Sequence, residues 1–273
     1  MAPLQPKNNI LCFDVLDIPI HVTHMMHSIH LIDYWLSIHS KQYICVRDIH
    51  GIICSYWDKQ LKHIHQNSGL VVPDGMPLVW CGKLKGYRDI GRVYGPDLMW
   101  KLCGHSIKAG YSHFLYGGRV GVAQTLKQTL EFNFPGIQIK GAITPPFREL
   151  TQSEEDQLIH TINKIKPDIF WVGLSTPKQE LFMHRFYQKL DTTIMLGVGG
   201  AFDIHTGRTK DAPLWIKKLG MQWFFRMIQE PDRLIKRYMT VIPLFILLYG
   251  CQVVRMWLFK ETQKLQSTSS NFR

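Results

Sequence analysis

The sequence predicts an α/β fold, a parallel sheet covered by helices on both faces. Three observations carry that prediction. Short apolar runs of strand length alternate with longer helical runs from "HFLYGG" through "TIMLGVGGAF". Most of the short runs are near-continuously apolar, as strands buried on both faces are. Several end in glycine-rich or polar loops, where an open Rossmann-like sheet binds its ligands. Beyond Gly207 the alternation gives way to helices rich in Arg, Lys and Trp. The expected organisation is a core over residues 1–207 and a basic helical appendage over 208–273.

Taken in order, residues 9–22 read as one or two short strands. "THMMHSIHLIDYWLSIHS" reads as a helix with Thr23 as N-cap. "QYICVRDIHGIICSY" gives a strand at 42–46, a polar loop at 47–51 and the start of a helix. "GLVVPDG" is the next strand and its loop. The basic loop "GYRDIGRVYG" then leads into a helix from about Pro96 to Lys108. Three strand-then-helix units follow: "HFLYGG" with "RVGVAQTLKQTLEFNF", "GIQIKGAIT" with "SEEDQLIHTINKIK", and "PDIFWVGLS" with "PKQELFMHRFYQKL". "SEED" fits a helix N-terminus, where acids meet the positive end of the dipole. "TIMLGVGGAF" closes the series.

A chain of 273 residues with 45% hydrophobic content can bury a sizeable core. Its net charge of +11 and pI of about 9.4 call for anionic partners: nucleic acid, an acidic membrane face or a phosphorylated small molecule. Six cysteines without a C-x-x-C pair read as reduced thiols of a cytoplasmic protein. The N-terminus has no apolar h-region and carries an acid early, so no secretory signal is expected. "VIPLFILLYGCQVV", 241–254, is shorter than the roughly 18–20 residues of a spanning helix. Basic and aromatic residues flank it, which predicts a segment over 241–259 lying in a membrane interface. A buried terminal helix is the alternative.

Four loops at strand ends hold candidate site residues. In "LYGGRVGV", Gly117 and Gly118 allow close backbone approach at a helix N-terminus, although a tight turn leaves the same trace. In "VGLSTPKQE", Lys178 opposes the helix dipole, a conflict that a ligand phosphate would resolve, and Gln179 offers donor and acceptor. In "LGVGGAFDIHTG", Asp203 suits ribose or base hydroxyls, or simply bonds its own loop. In "PDGMPLVW", Asp74 is either an Asx-turn residue or a buried base, and Arg92 brings a cation to the same rim. No metal is expected: no D-x-D follows a strand, and the histidines at 21, 24, 27 and 30 drift around a helix with no acid nearby.

Together these stretches resemble the WecG/TagA/CpsF glycosyltransferases. "VVPDGMPLVW", "RVYGPDLM", "FLYGGRVGVA", "PDIFWVGLSTPKQE", "LGVGGAFDIHTG" and "APLWIKKLGMQWFFRMIQEPDRLIKRY" keep the family's order over roughly residues 40–240. The resemblance implies inverting, metal-independent transfer from a UDP-sugar to a hydroxyl of a polyprenyl-pyrophosphate-linked saccharide, without a cofactor. The product class is cell-surface polysaccharide: exopolysaccharide, capsule or teichoic acid. By position, Asp74 matches the proposed general base and Arg92 the phosphate-contacting arginine. Gln179 and Asp203 match the P-K-Q-E and G-G-x-F-D positions of the donor site. Arg226, Arg233, Lys236 and Arg237 fall on the basic positions of the appendage, which is implied to close over the site and contact acceptor or pyrophosphate. The implied setting is the inner face of the cell membrane, with an anionic membrane surface as partner and no nucleic acid; self-association is left open. Where the teichoic acid branch has T-x-N, this chain has Val46 and Asp48, so that branch's acceptor contacts do not carry over. Two other classes share parts of the pattern. A nicotinamide-dependent oxidoreductase shares the sheet and glycine loops but needs G-x-G-x-x-G, and an RNA-binding module shares the charge but needs a stacking motif.

Overall fold

The computed structural model describes the backbone of residues 10–270 and the side chains up to Leu258. The first nine residues, on which the secretory-signal expectation falls, the end of the polar tail, and the Phe259 side chain lie outside the described residues.

Six strands form the expected parallel sheet: β3 (Gln42–Arg47), β4 (Leu70–Pro73), β5 (Ser112–Gly117), β6 (Gln138–Ile143), β7 (Ile169–Gly173) and β8 (Ile194–Gly197). Their order across the sheet is β4-β3-β8-β7-β5-β6. Alternate residues feed two cores: Phe114, Tyr116, Phe170 and Val172 face one, and Leu115, Ile169, Trp171 and Leu196 the other. Burying one such side chain stabilises the fold by about 1.5–3 kcal/mol, which makes the sheet the rigid part of the molecule. A separate antiparallel hairpin, β1 (Cys12–Val15) and β2 (Ile18–His21), leans on β4 through Val71 N–H, which donates to His21 Nδ1 at 2.9 Å.

The helices are α1 (Met25–Ser37), α2 (Ile49–Trp57), α3 (Lys59–Gln66), α4 (Met76–Leu84), α5 (Gly95–Ala109), α6 (Val122–Asn133), α7 (Gln152–Ile165), α8 (Lys178–Phe186) and α9 (Ala201–His205). α10 (Leu214–Lys218), α11 (Gln222–Gln229) and α12 (Pro231–Ser270) follow. The α7 start is as expected, with a reciprocal capping box between Thr151 and Glu154.

Four local expectations are corrected. Thr23 is not the cap of α1: its hydroxyl is buried 3.0 Å from that of Ser28, and His24 Nδ1 accepts from His27 N–H instead. Residues 47–51 are not a polar loop. β3 runs on through a buried Arg47, and Asp48 caps α2 at once by accepting from Gly51 N–H at 2.8 Å. The "DGMPLVW" stretch runs directly into α4, with Pro77 in the first turn where a missing N–H costs nothing. The histidine series is not one helical ladder, because His21 lies on β2 and His24 precedes α1.

α12 is one helix where the sequence shows only a short apolar core. Over Pro231–Leu258 it is long and apolar enough to cross a membrane, with mean hydropathy 1.8 and 17% of that window buried. Leu234, Tyr238, Val241, Phe245 and Tyr249 form its buried stripe, spaced by three or four residues. Gln252 extends it: its Oε1 accepts from Leu16 N–H of the hairpin at 2.9 Å. Met239, Ile246, Leu247, Val254 and Trp257 lie exposed on the opposite face.

Candidate active site

The site follows from where the strands stop. β3 and β4 lie side by side, and Asp74 N–H donates to Arg47 O at 2.7 Å, extending their ladder by one bond. That bond fixes the start of the Asp74 loop, and Pro77 fixes its exit. Asp74 Oδ1 accepts one hydrogen bond, from Gly95 N–H at 3.0 Å. Arg92 does not bind this carboxylate. Its Nε donates to the backbone carbonyl of Asp74, and its NH2 group donates to Gln222 Oε1 on α11. The guanidinium also lies 4.4 Å over the Tyr94 ring. Burial pushes the Asp74 carboxyl above its ordinary value, and the negative charge of Asp48 adds to this. Arg92, the Gly95 N–H and Arg226 pull the other way and do not cancel it.

A polar hub locks the C-terminal helices over this rim. Asp211 Oδ1 accepts from Tyr94 OH at 3.0 Å and from Gln222 Nε2 at 3.1 Å. Lys217 Nζ pairs with Asp211 Oδ2 at 2.5 Å and with Asp97 at 3.4 Å. Arg226, also on α11, reaches across the end of β8, so that a Cβ on Gly200 would lie 3.4 Å from its NH2. Its Nε is buried without a hydrogen-bond partner, and Glu230 stands 3.8 Å from its NH2. α11 thus brings one guanidinium and one amide to the Asp74 end of the sheet.

At the next strand ends, Gln179 is almost fully buried and its Oε1 accepts from Gly199 N–H at 3.0 Å, tying the α8 start to the β8 loop. Below it, Glu180 forms a buried ion pair with Arg47 through Oε1, while its Oε2 and one terminal nitrogen of Arg47 are buried without a hydrogen bond. Burial alone would lower the Arg47 pKa; the adjoining Glu180 carboxylate overrides that and raises it. Asp203 stands in α9 with Arg208 Nε 3.6 Å away and one carboxylate oxygen buried without a hydrogen bond.

The sequence profile of the "Glycosyl transferase WecG/TagA/CpsF family" matches residues 13–261. The chain belongs to the WecG/TagA/CpsF glycosyltransferase family. It is 28% identical over 176 residues to an N-acetylglucosaminyldiphosphoundecaprenol N-acetyl-beta-D-mannosaminyltransferase of Bacillus subtilis, covering 64% of this chain and 67% of that enzyme. The enzyme of the same name from Bacillus spizizenii is 27% identical over 180 residues, 66% of this chain and 67% of its own length. The oxidoreductase and RNA-binding readings fall away with this assignment.

Within this glycosyltransferase the expected site residues separate into groups. Asp74, Arg92 and Arg226 stand on one rim, and Gln179 is bonded to the adjoining β8 loop. Gly117 and Gly118 both have positive φ, 137° and 75°, and both are crowded: a Cβ on Gly117 would lie 2.5 Å from Gly173 O, and one on Gly118 2.9 Å from Val122 with Phe202 beyond. Gly118 N–H is itself bonded to Gly173 O. Arg233 pairs with Glu230 at 2.5 Å. Lys236 lies exposed on α12, and Arg237 is half-buried near α2, where its charge acts on His50 and Cys54. Lys178 turns away from Gln179, its ammonium 4.5 Å over the Phe147 ring. Gln222, Asp211 and the Arg47–Glu180 pair were not found from the sequence. No motif announces them, because they act through contacts more than 100 residues apart. Among the described residues, no three His, Cys, Asp or Glu side chains are grouped so as to hold a metal ion.

Proposed function

We propose that the chain transfers a sugar, with inversion, from a UDP-sugar to a hydroxyl of a polyprenyl-pyrophosphate-linked saccharide during cell-surface polysaccharide synthesis. The observation that carries this reading is the state of Asp74: a desolvated carboxylate that accepts one backbone hydrogen bond while the nearest guanidinium holds its main chain. Such a group remains basic enough to accept a proton. The acceptor hydroxyl attacks the anomeric carbon of the donor as Asp74 takes its proton. The bond from that carbon to the diphosphate breaks, and UDP leaves with the electron pair. One displacement at one face inverts the centre. Arg92 and Arg226 offset the charge that grows on the leaving diphosphate, so the step is assigned to cationic side chains with no metal or cofactor. Gln179, Lys178 and Asp203, beside the Gly117–Gly118 turn, are assigned to the donor. Arg233, Lys236 and Arg237 are assigned to the acceptor pyrophosphate.

The Bacillus relatives are named for an acceptor on diphosphoundecaprenol, which supports a lipid-linked acceptor here. α12 supports a membrane setting. Its stripe from Leu234 to Gln252 is seated on the fold, so spanning a bilayer would strip those contacts, whereas lying along the surface leaves the outer apolar face for lipid. We place residues 208–273 as the membrane-facing unit, peripheral on the cytoplasmic face. The test is a screen of UDP-sugars against a pyrophosphate-linked lipid acceptor in anionic vesicles, reading UDP release. One productive donor is expected. Release from no UDP-sugar, with release from another nucleotide-sugar, would overturn the donor assignment.

A further inference from the structure

Phe147, in the loop between β6 and α7, is 99% exposed, the most exposed large apolar side chain among the described residues. The loop displaying it is not loose. Before the ring, Thr144 Oγ1 donates to Gly117 O at 3.3 Å, fastening the loop to the β5 turn, and Pro145 and Pro146 restrict the backbone. After the ring, Arg148 pairs with Glu154 through two bonds of 2.7 Å, and Glu154 belongs to the capping box of α7. A rigid segment thus holds a bare aromatic face on the ligand-binding rim of the sheet. The fold makes no use of the ring as core. Nor does the proposed lipid-facing surface account for it: β6 is the edge strand opposite β4, whereas α12 packs on α2 and the hairpin beside β4.

The ring's contact is Lys178, the first residue of α8, whose neighbour Gln179 is tied to the β8 loop. The ammonium lies over one face of the ring, so a base would stack on the opposite face while Lys178 meets the phosphates attached to it. β7, which leads into Lys178, lies three strands from β4, which leads into Asp74, or roughly 14 Å at the usual strand spacing. An extended nucleoside diphosphate sugar has that order of length, with base and reacting carbon at opposite ends.

We propose that Phe147 is the stacking platform for the nucleobase of the donor, with Lys178 beside it on the diphosphate. This rests on the nucleotide-sugar reading above, and the test separates the two. Binding of UDP and of inorganic pyrophosphate to the full-length protein is measured by calorimetry for wild type, Phe147→Ala, Phe147→Trp and Lys178→Met. The ring is exposed, so Phe147→Ala is expected to keep the wild-type melting temperature. It should weaken UDP roughly ten- to hundredfold, the range of one stacked base, and leave pyrophosphate unchanged. Phe147→Trp should restore UDP binding, and Lys178→Met should weaken both ligands. Wild-type UDP affinity in Phe147→Ala, or an equal loss for both ligands, would overturn the stacking role while leaving the donor reading in place. A wild type that binds pyrophosphate and not UDP would overturn both.

Discussion

Arg47 is bonded to both Glu180 and Asp74, but only to the carboxylate of the first. Its guanidinium holds Glu180 in a buried ion pair through one of the two carboxylate oxygens, and its backbone carbonyl accepts the Asp74 N–H. Glu180 has a cation against its carboxylate and sits beneath the rim. Asp74 has its cation, Arg92, bound to its main chain, so the carboxylate keeps free acceptor capacity at the rim. The difference teaches how one fold uses the same residue types twice. A buried charge with a partner becomes part of the frame, because breaking the pair strands a charge in low dielectric. A desolvated charge without a tight partner stays reactive.

The sharpest break in that comparison is Asp74→Asn. Transfer should fall about 100- to 10,000-fold, the range of a lost general base, with UDP binding retained. Stability should move the opposite way. The folded-state pKa of Asp74 is raised above 3.8, so the native state binds more protons than the unfolded state between 3.8 and the raised value. Stability is therefore lost as pH rises through that window, and the penalty persists at neutral pH. Asn removes it and keeps an oxygen for the Gly95 N–H. The melting temperature should rise, at about 2–4 °C per kcal/mol for a chain of this size. Normal turnover would take Asp74 out of the chemistry, and an unchanged melting temperature would show that its burial costs nothing.

Glu180→Leu is the mirror experiment and the next largest effect. It leaves Arg47 buried and unpaired, which should cost about 3–5 kcal/mol in denaturant unfolding. Arg47→Met with Glu180→Leu removes both charges and should recover most of that stability. If Glu180 belongs only to the frame, transfer returns with stability in the double variant. Recovered stability without recovered transfer would move Glu180 from frame to site.

The sheet was legible in the sequence because its strands other than the edge strand β6 are buried on both faces, so apolar runs such as "IFWVG" carry a signal that no tertiary context is needed to read. α4 was not, because its apolar positions Leu78, Val79 and Cys81 follow a proline-flanked D-G that reads as a turn. Asp74 and Arg92 were legible as residue types at a strand end. Their relation was not, since which atom of Asp74 the guanidinium binds depends on Gln222, 130 positions further on. The glycines at 117 and 118 were legible as places without a side chain, but what surrounds them was not. Sequence shows that a side chain is excluded there, and the structure shows that Gly173, Val122 and Phe202 exclude it.

The finest test concerns what raises Asp74. The groups acting on its carboxyl are Arg92 and the Gly95 N–H from the following loop and helix start, Arg226 from α11, and Asp48 from the end of β3. Of these, Asp48 is the charged group that pushes the pKa up along with burial. Asp48→Asn keeps the cap of α2, because asparagine accepts from the Gly51 N–H as well as aspartate does. It removes the like charge, so the Asp74 pKa should fall. A base works only when ionised, so the acid limb of the kcat/KM profile should move to lower pH. A limb that stays in place would leave burial as the whole cause. A limb that moves to higher pH would mean that Asp48 holds a cation near Asp74, and the two carboxylates at the β3 and β4 ends would then be working as a pair.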